Sequence, residues 1–358
     1  MRAALTVALA AGLVATAAAA SPRPSAPRLE GFRPAGLTLD SHFRDGRPLA
    51  RVPLSQLRRR SWGGVVTATD SEQVTVYVSD AYPVDPARQQ GIADFLTQLY
   101  HGSELASMSV YVAPLTEVQA LCGAGAGGCY GHNLIVAPGE DLPSGTSPEN
   151  VLAHEYGHHV AANRNNAPWD AYSWGPKRWA SAERICSRVA QGTAFPGDEG
   201  EHYRQNPGEA WAESYRLLNY ERQAWPHWTP IPWRVVDDTF LPDAATLDAA
   251  REDVLDPWER SDTATPWRGR LRNVAPKGKP VHVPRVRRAV ATPLDGTLAL
   301  IVPRAPRGMT LSVSTLNGKF LAGSDRPILP APICGERLVV LTVRSKRPGR
   351  FAVDISAP

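Results

Sequence analysis

The sequence predicts an α+β fold: a mixed helix-and-strand domain over about residues 62–262, followed by a small all-β sandwich over 263–358. Strand-like alternation and amphipathic helical spacing are interleaved from Gly64 to Leu255. Three helix starts carry a capping residue followed by proline, at Asp85-Pro86, Ser147-Pro148 and Asn206-Pro207. After Trp267 the helical spacing stops and short β-prone runs alternate with Gly and Pro.

Taken in order, Arg2, the apolar run Ala3 to Ala17 and the small residues Ala18-Ala19-Ala20 read as a secretory signal peptide over 1–20. The run is too short and Ala-rich for a membrane span. The mature chain is therefore expected to be secreted and extracellular, without a span. Residues 21–61 are rich in Pro and Arg without periodicity and read as a linker or pro-segment. Within them Arg58-Arg59-Arg60 is either a processing site or an exposed basic stretch.

Val65, Val66 and then Val74, Val76, Val78 predict a hairpin from Gly64 to Ser79. A helix is expected from Asp85 to about Tyr100, with Ile92, Phe95, Leu96 and Leu99 on one face. Ser109 to Val112 and Asn133 to Val136 read as strands, with a short helix around Glu117 to Leu121 between them. Longer helices are expected from Ser147 to about Asn163, Lys177 to Gln191, Asn206 to about Glu221, and Asp243 to Leu255. The β-prone runs of the last part are Leu298 to Val302, Leu311 to Val313, Leu338 to Val343 and Phe351 to Ile355.

The four cysteines, Cys122, Cys129, Cys186 and Cys334, allow three pairings in an oxidising compartment. Cys122–Cys129 would close a short glycine loop, and Cys186–Cys334 would then tie the two domains together. No C-x-x-C pair supports a cysteine zinc site. A net charge of +4, with 43% apolar and 21% charged residues, describes an ordinary globular chain. It gives no argument for nucleic acid, and none is expected as a partner. From Arg268 to Arg288 there are eight Lys or Arg and no acid, a solvated surface or a site for a cell-surface polymer.

The chemistry is concentrated at His154-Glu155-Tyr156-Gly157-His158. Histidines four apart share one face of a helix and can share a metal. Zinc takes neutral imidazole ligands, and Glu155 beside the first is placed to accept a proton from an activated water. A catalytic zinc needs a third protein ligand. The extension that supplies it locally requires Gly and His at 161 and 164, where this chain has Ala161 and Arg164. The ligand must come from farther along, and Glu209 and Glu213, again four apart, offer two carboxylates on one face. One can bind metal while the other accepts a hydrogen bond from a ligating histidine.

HEYGHH followed by EAWAESYR resembles the gluzincin metallopeptidases, which pair H-E-x-x-H with a downstream E-x-x-x-D/E. The form E-x-x-A-E-x-x-R is similar to the branch that includes the catalytic domain of anthrax lethal factor and small secreted bacterial gluzincins. The resemblance spans about residues 147–221. It implies a zincin-like fold, a twisted sheet over the active-site helices, with His154, His158 and Glu209 as ligands of one Zn2+ per chain. It makes Glu155 the general base and Glu213 the carboxylate behind the ligands. It also implies a Tyr or His that stabilises the oxyanion; Tyr203 is the candidate, with His202 behind it. The strand Asn133 to Val136 would stand where the family's edge strand binds extended peptide. His159 points about 100° away from the ligand face and reads as a non-ligand.

Gly123-x-Gly125-x-x-Gly128 matches a dinucleotide fingerprint, but it lies between two cysteines with no helix at its end, so no dinucleotide is expected. The Trp residues of 169–267 are expected to pack the core. The function expected is a secreted zinc endopeptidase acting on a peptide or protein substrate. The alternatives are a non-catalytic peptide-binding or cell-surface protein that retains the zinc site, and a site loaded with cobalt or manganese.

Overall fold

The computed structural model describes residues 54–220, 235–260, 264–272 and 283–358. The signal peptide and residues 21–53 of the linker or pro-segment lie outside the described residues, as does the middle of the basic run after Arg272. Among the described residues no helix is long and apolar enough to cross a membrane.

A one-turn helix, α1 (Leu54–Arg58), buries Leu57 and leaves Arg58, Arg59 and Arg60 exposed. The expected hairpin follows as β1 (Ser61–Thr67) and β2 (Gln73–Ser79), antiparallel. The alternation of Val74, Val76 and Val78 sends all three into the core. Helix α2 (Pro86–Gln98) starts as its sequence dictates: the Asp85 carboxylate accepts from the backbone N–H of Ala87 and Arg88. Then come β3 (Ser109–Ala113), α3 (Leu115–Cys122), β4 (Cys129–Gly131) and β5 (Leu134–Pro138). The strands form one mixed sheet in the order β1-β2-β3-β5-β4.

The strand expected at the sheet edge is internal. β5 pairs in parallel with β3 and antiparallel with β4, so the edge is Cys129 to Gly131. His132 and Asn133 both adopt positive φ (49° and 60°) and make the two-residue reversal that lays β4 on β5. Three residues are too few to show alternation, which is why this strand is silent in the sequence. The Cys122–Cys129 disulfide holds its start against the end of α3.

Helix α4 (Pro148–Ala162) is buried on every side from Asn150 to Ala161. It crosses α8 (Pro207–Tyr220), and Gly157 sets how closely they approach. A Cβ there would lie 2.9 Å from Ala212 Cα and 3.1 Å from Tyr215 Cβ. Trp211 Nε1 donates to the Gly157 carbonyl at 2.7 Å. Gly157→Ala gains about 1 kcal/mol in helix propensity but must push two backbones apart, at about 1–3 kcal/mol. A net loss is expected because the clash is with backbone, read as a lower urea midpoint; an unchanged midpoint would refute the close-contact argument.

Between these helices lie α5 (Ala171–Trp174), α6 (Lys177–Ala182) and α7 (Ile185–Ala190), and α9 (Ala244–Leu255) follows. The single helix expected from Lys177 to Gln191 is broken. Arg184 takes φ 57°, which buries Ile185 and brings Cys186 to its disulfide with Cys334. Trp169, Trp174, Trp179 and Trp211 are buried in the same core.

The last part consists of β6 (Thr265–Leu271), β7 (Arg285–Ala291), β8 (Gly296–Arg304), β9 (Met309–Thr315), β10 (Phe320–Ser324), β11 (Ile328–Ile333), β12 (Leu338–Ser345) and β13 (Gly349–Ser356). Two antiparallel sheets, β10-β9-β12-β7 and β11-β8-β13-β6, enclose one apolar cluster. They meet the helical part through Cys186–Cys334 and through Ser181. Asp295 N donates to Ser181 Oγ (2.9 Å), and Arg337 Nη2 to the Ser181 carbonyl (2.8 Å). Both disulfides are compatible with an extracellular protein.

Candidate metal centre

Helix α4 supplies two imidazoles and α8 the carboxylate between them. His154 Nε2 lies 3.1 Å from one oxygen of Glu209, and His158 Nε2 lies 3.4 Å from the other. One ligand atom from each residue falls within 4.8 Å of the others, and all three residues are buried. Two ligands at ~2.05 Å in tetrahedral array stand about 3.3 Å apart, the spacing a zinc ion imposes on its donors. The donor set, two imidazole nitrogens and one carboxylate, suits a divalent transition ion.

The electrostatics agree. Burial pulls the His154 imidazole down, but the carboxylates of Glu209 and Glu213 outweigh it and hold its pKa up at about 10. Burial would raise Glu209, yet the two imidazoles keep it far below the ordinary carboxylate range. The carboxylates thus favour positive charge on the imidazoles, and a divalent cation bound between the three residues would take the place of those protons.

Behind the ligands, Glu213 Oε2 faces His154 Nδ1 at 3.8 Å. Both Glu213 oxygens accept from Arg216 at 2.8 Å, and Arg216 Nη1 donates to Asn150 Oδ1 at 2.7 Å. Asn150 Nδ2 in turn donates to Ser147 Oγ at 3.0 Å. Ser147 stands at the N-cap as expected, but its hydroxyl serves this network instead of a backbone N–H. The chain of contacts locks α4 to α8 behind the imidazoles.

Glu155 is buried one residue beyond His154 and is outside the trio of candidate ligands. Burial lifts its carboxyl above the usual range, while the neighbouring histidines pull it down. A Cβ on Gly128 would lie 3.0 Å from Glu155 Oε1, so the glycine lets the backbone entering β4 come up against this carboxylate. The match to a dinucleotide fingerprint is thus a disulfide-closed loop bordering the cleft.

Tyr203 comes to the site as expected: its hydroxyl donates to Glu209 Oε2 at 2.7 Å. His202 does not line the cleft. It stacks on Phe195 and its Nδ1 pairs with Asp198 Oδ2 at 2.9 Å. His159 is structural, with Nε2 2.9 Å from the Glu104 carbonyl and Nδ1 3.1 Å from Tyr130 Oη, so it ties α4 to the edge strand.

The trio of candidate ligands lines a cleft of about 1250 Å³ together with residues 123–133 and with Tyr172, Glu199 and Tyr203. Sequence reasoning missed Tyr172, whose ring lies 5.7 Å from that of His158, and Glu199, which accepts from Asn206 Nδ2 at 2.8 Å. Tyr172 sits in the four-residue helix α5 and Glu199 outside any helix or strand, so neither lies in a stretch long enough to carry a periodic signal. No protein-family model matches the chain, and no curated protein matches it significantly.

Proposed function

We propose that this chain is a secreted, zinc-dependent endopeptidase of the gluzincin kind, with a zincin-like arrangement of sheet and helices around its metal. The observation that carries the reading is the buried convergence of His154, His158 and Glu209 in a large cleft, with Glu155 beside them and outside the trio. Zinc, when bound by those three residues, supplies Lewis acidity toward a carbonyl oxygen and lowers the pKa of a water.

The remaining work belongs to the chain. Glu155 takes a proton from the attacking water and delivers it to the amine nitrogen as the C–N bond breaks. Tyr203, whose hydroxyl already lies beside Glu209, donates to the carbonyl oxygen as negative charge builds there. Glu213 fixes the tautomer and orientation of the His154 ring. The edge of β4 leaves backbone groups to which an extended peptide can add as a further strand.

The test is metal analysis of the purified protein together with digestion of a mixed peptide library read by mass spectrometry. One zinc per chain is expected, with internal cleavages that stop on chelation and return on adding zinc. A folded, zinc-loaded protein that cleaves nothing in the library would sink the peptidase reading. A protein that retains no divalent metal would sink the metal centre as well.

A further inference from the structure

Charge is divided unevenly along this chain. Residues 263–358 carry 17 Lys or Arg against 4 Asp or Glu, a net +13 within a chain whose total is +4. The strand register gathers part of that charge on one surface. On β6, Trp267 and Leu271 enter the core, so Arg268, Arg270 and then Arg272 project from the outer face and are exposed. Arg350 of β13 sits directly opposite Arg270. Ala352, two residues on, lies between Arg268 on β6 and Arg304 on β8. Adjacent strands are about 4.8 Å apart, so Arg268 and Arg304 flank Ala352, and the exposed Arg270, Arg272 and Arg350 continue the same face along β6 and β13. At the seam beside them Arg288 of β7 donates to the Pro266 carbonyl of β6 at 3.4 Å.

Among the described residues the acid on this face is Asp354, 3.7 Å from Arg268. Like charges directly opposed across a strand pair destabilise a sheet, and Arg270 with Arg350 is such a pair. Here the pair is continued by Arg268, Arg272 and Arg304 on the same face, and an anionic ligand laid across them would relieve the repulsion. The guanidinium fork matches phosphate and sulfate oxygens two at a time. Trp267 and Phe351 are turned inward, so among the described residues of β6 and β13 there is no exposed ring on which a nucleobase can stack. It is suited to a polymer recognised by its charged backbone.

We propose that the outer face of the β11-β8-β13-β6 sheet binds an extended polyanion bearing phosphate or sulfate groups, and so holds the chain on an extracellular polymer of that chemistry. The inference is independent of the metal centre.

The test uses the full chain and three immobilised probes: inorganic polyphosphate, dextran sulfate and duplex DNA. Binding to polyphosphate or dextran sulfate is expected, and the tighter of the two assigns the anion. Replacing Arg270 and Arg350 together by Gln should weaken it about ten-fold or more and lower the slope of log affinity against log salt by about 2. Arg285 and Arg344, opposed on the other sheet, form a charge-matched control. Their replacement by Gln should change affinity less than about three-fold. Circular dichroism verifies that both variants fold. Equal losses in the two variants, tighter binding to DNA than to either polymer, or no binding at low salt would overturn the proposal.

Discussion

Glu155→Gln is expected to lower peptide turnover by about 10²–10⁴-fold, the range a positioned general base contributes, and to leave the zinc content at one per chain. The two effects separate because Glu155 stands outside the His154, His158 and Glu209 trio. Glutamine fills the same space against Gly128 but cannot take up the proton of an attacking water. Metal content and single-turnover cleavage, measured on one preparation, decide the matter. Retained turnover would remove Glu155 from the reaction. Loss of zinc along with turnover would mean that the carboxylate helps to hold the ion, and the proposed division of labour would be wrong.

The candidate site was legible because its spacings are helical. His154, Glu155 and His158 lie within one turn and a little more, Glu209 and Glu213 within another, and each group follows a cap-and-proline start that the structure retains. What the sequence could not show is how closely the two helices cross, which depends on Gly157, or that the Ser147 hydroxyl joins the network behind the ligands. The sheet was read less completely. Val74, Val76 and Val78 announced β2, but β4 has three residues and β6 has arginines at every second position, so neither offers an apolar stripe of useful length. The break at Arg184 was invisible for another reason. It accompanies a long-range constraint, the Cys186–Cys334 bond to the β-sheet part, which no local helical pattern announces.

Arg216 offers the second large effect and a way to divide stability from metal binding. It is fully buried and makes a two-point contact with Glu213, itself buried. Arg216→Met leaves the Glu213 carboxylate buried without its guanidinium, for which a loss of about 3–5 kcal/mol is expected. Removing both charges in Arg216→Met, Glu213→Leu should restore much of that stability, because a well-packed apolar pair can replace a buried ion pair at little cost. The double variant nevertheless deprives His154 of the carboxylate facing its Nδ1, and zinc affinity should fall about 10–100-fold, as when a ligand loses its orienting partner. Urea unfolding and competition with a chelator of known affinity measure the two quantities separately. A double variant as stable as the parent and as tight for zinc would show that Glu213 does not position His154. Recovered stability with weakened zinc binding would show that the pair orients the ligand and that the fold does not depend on its charges.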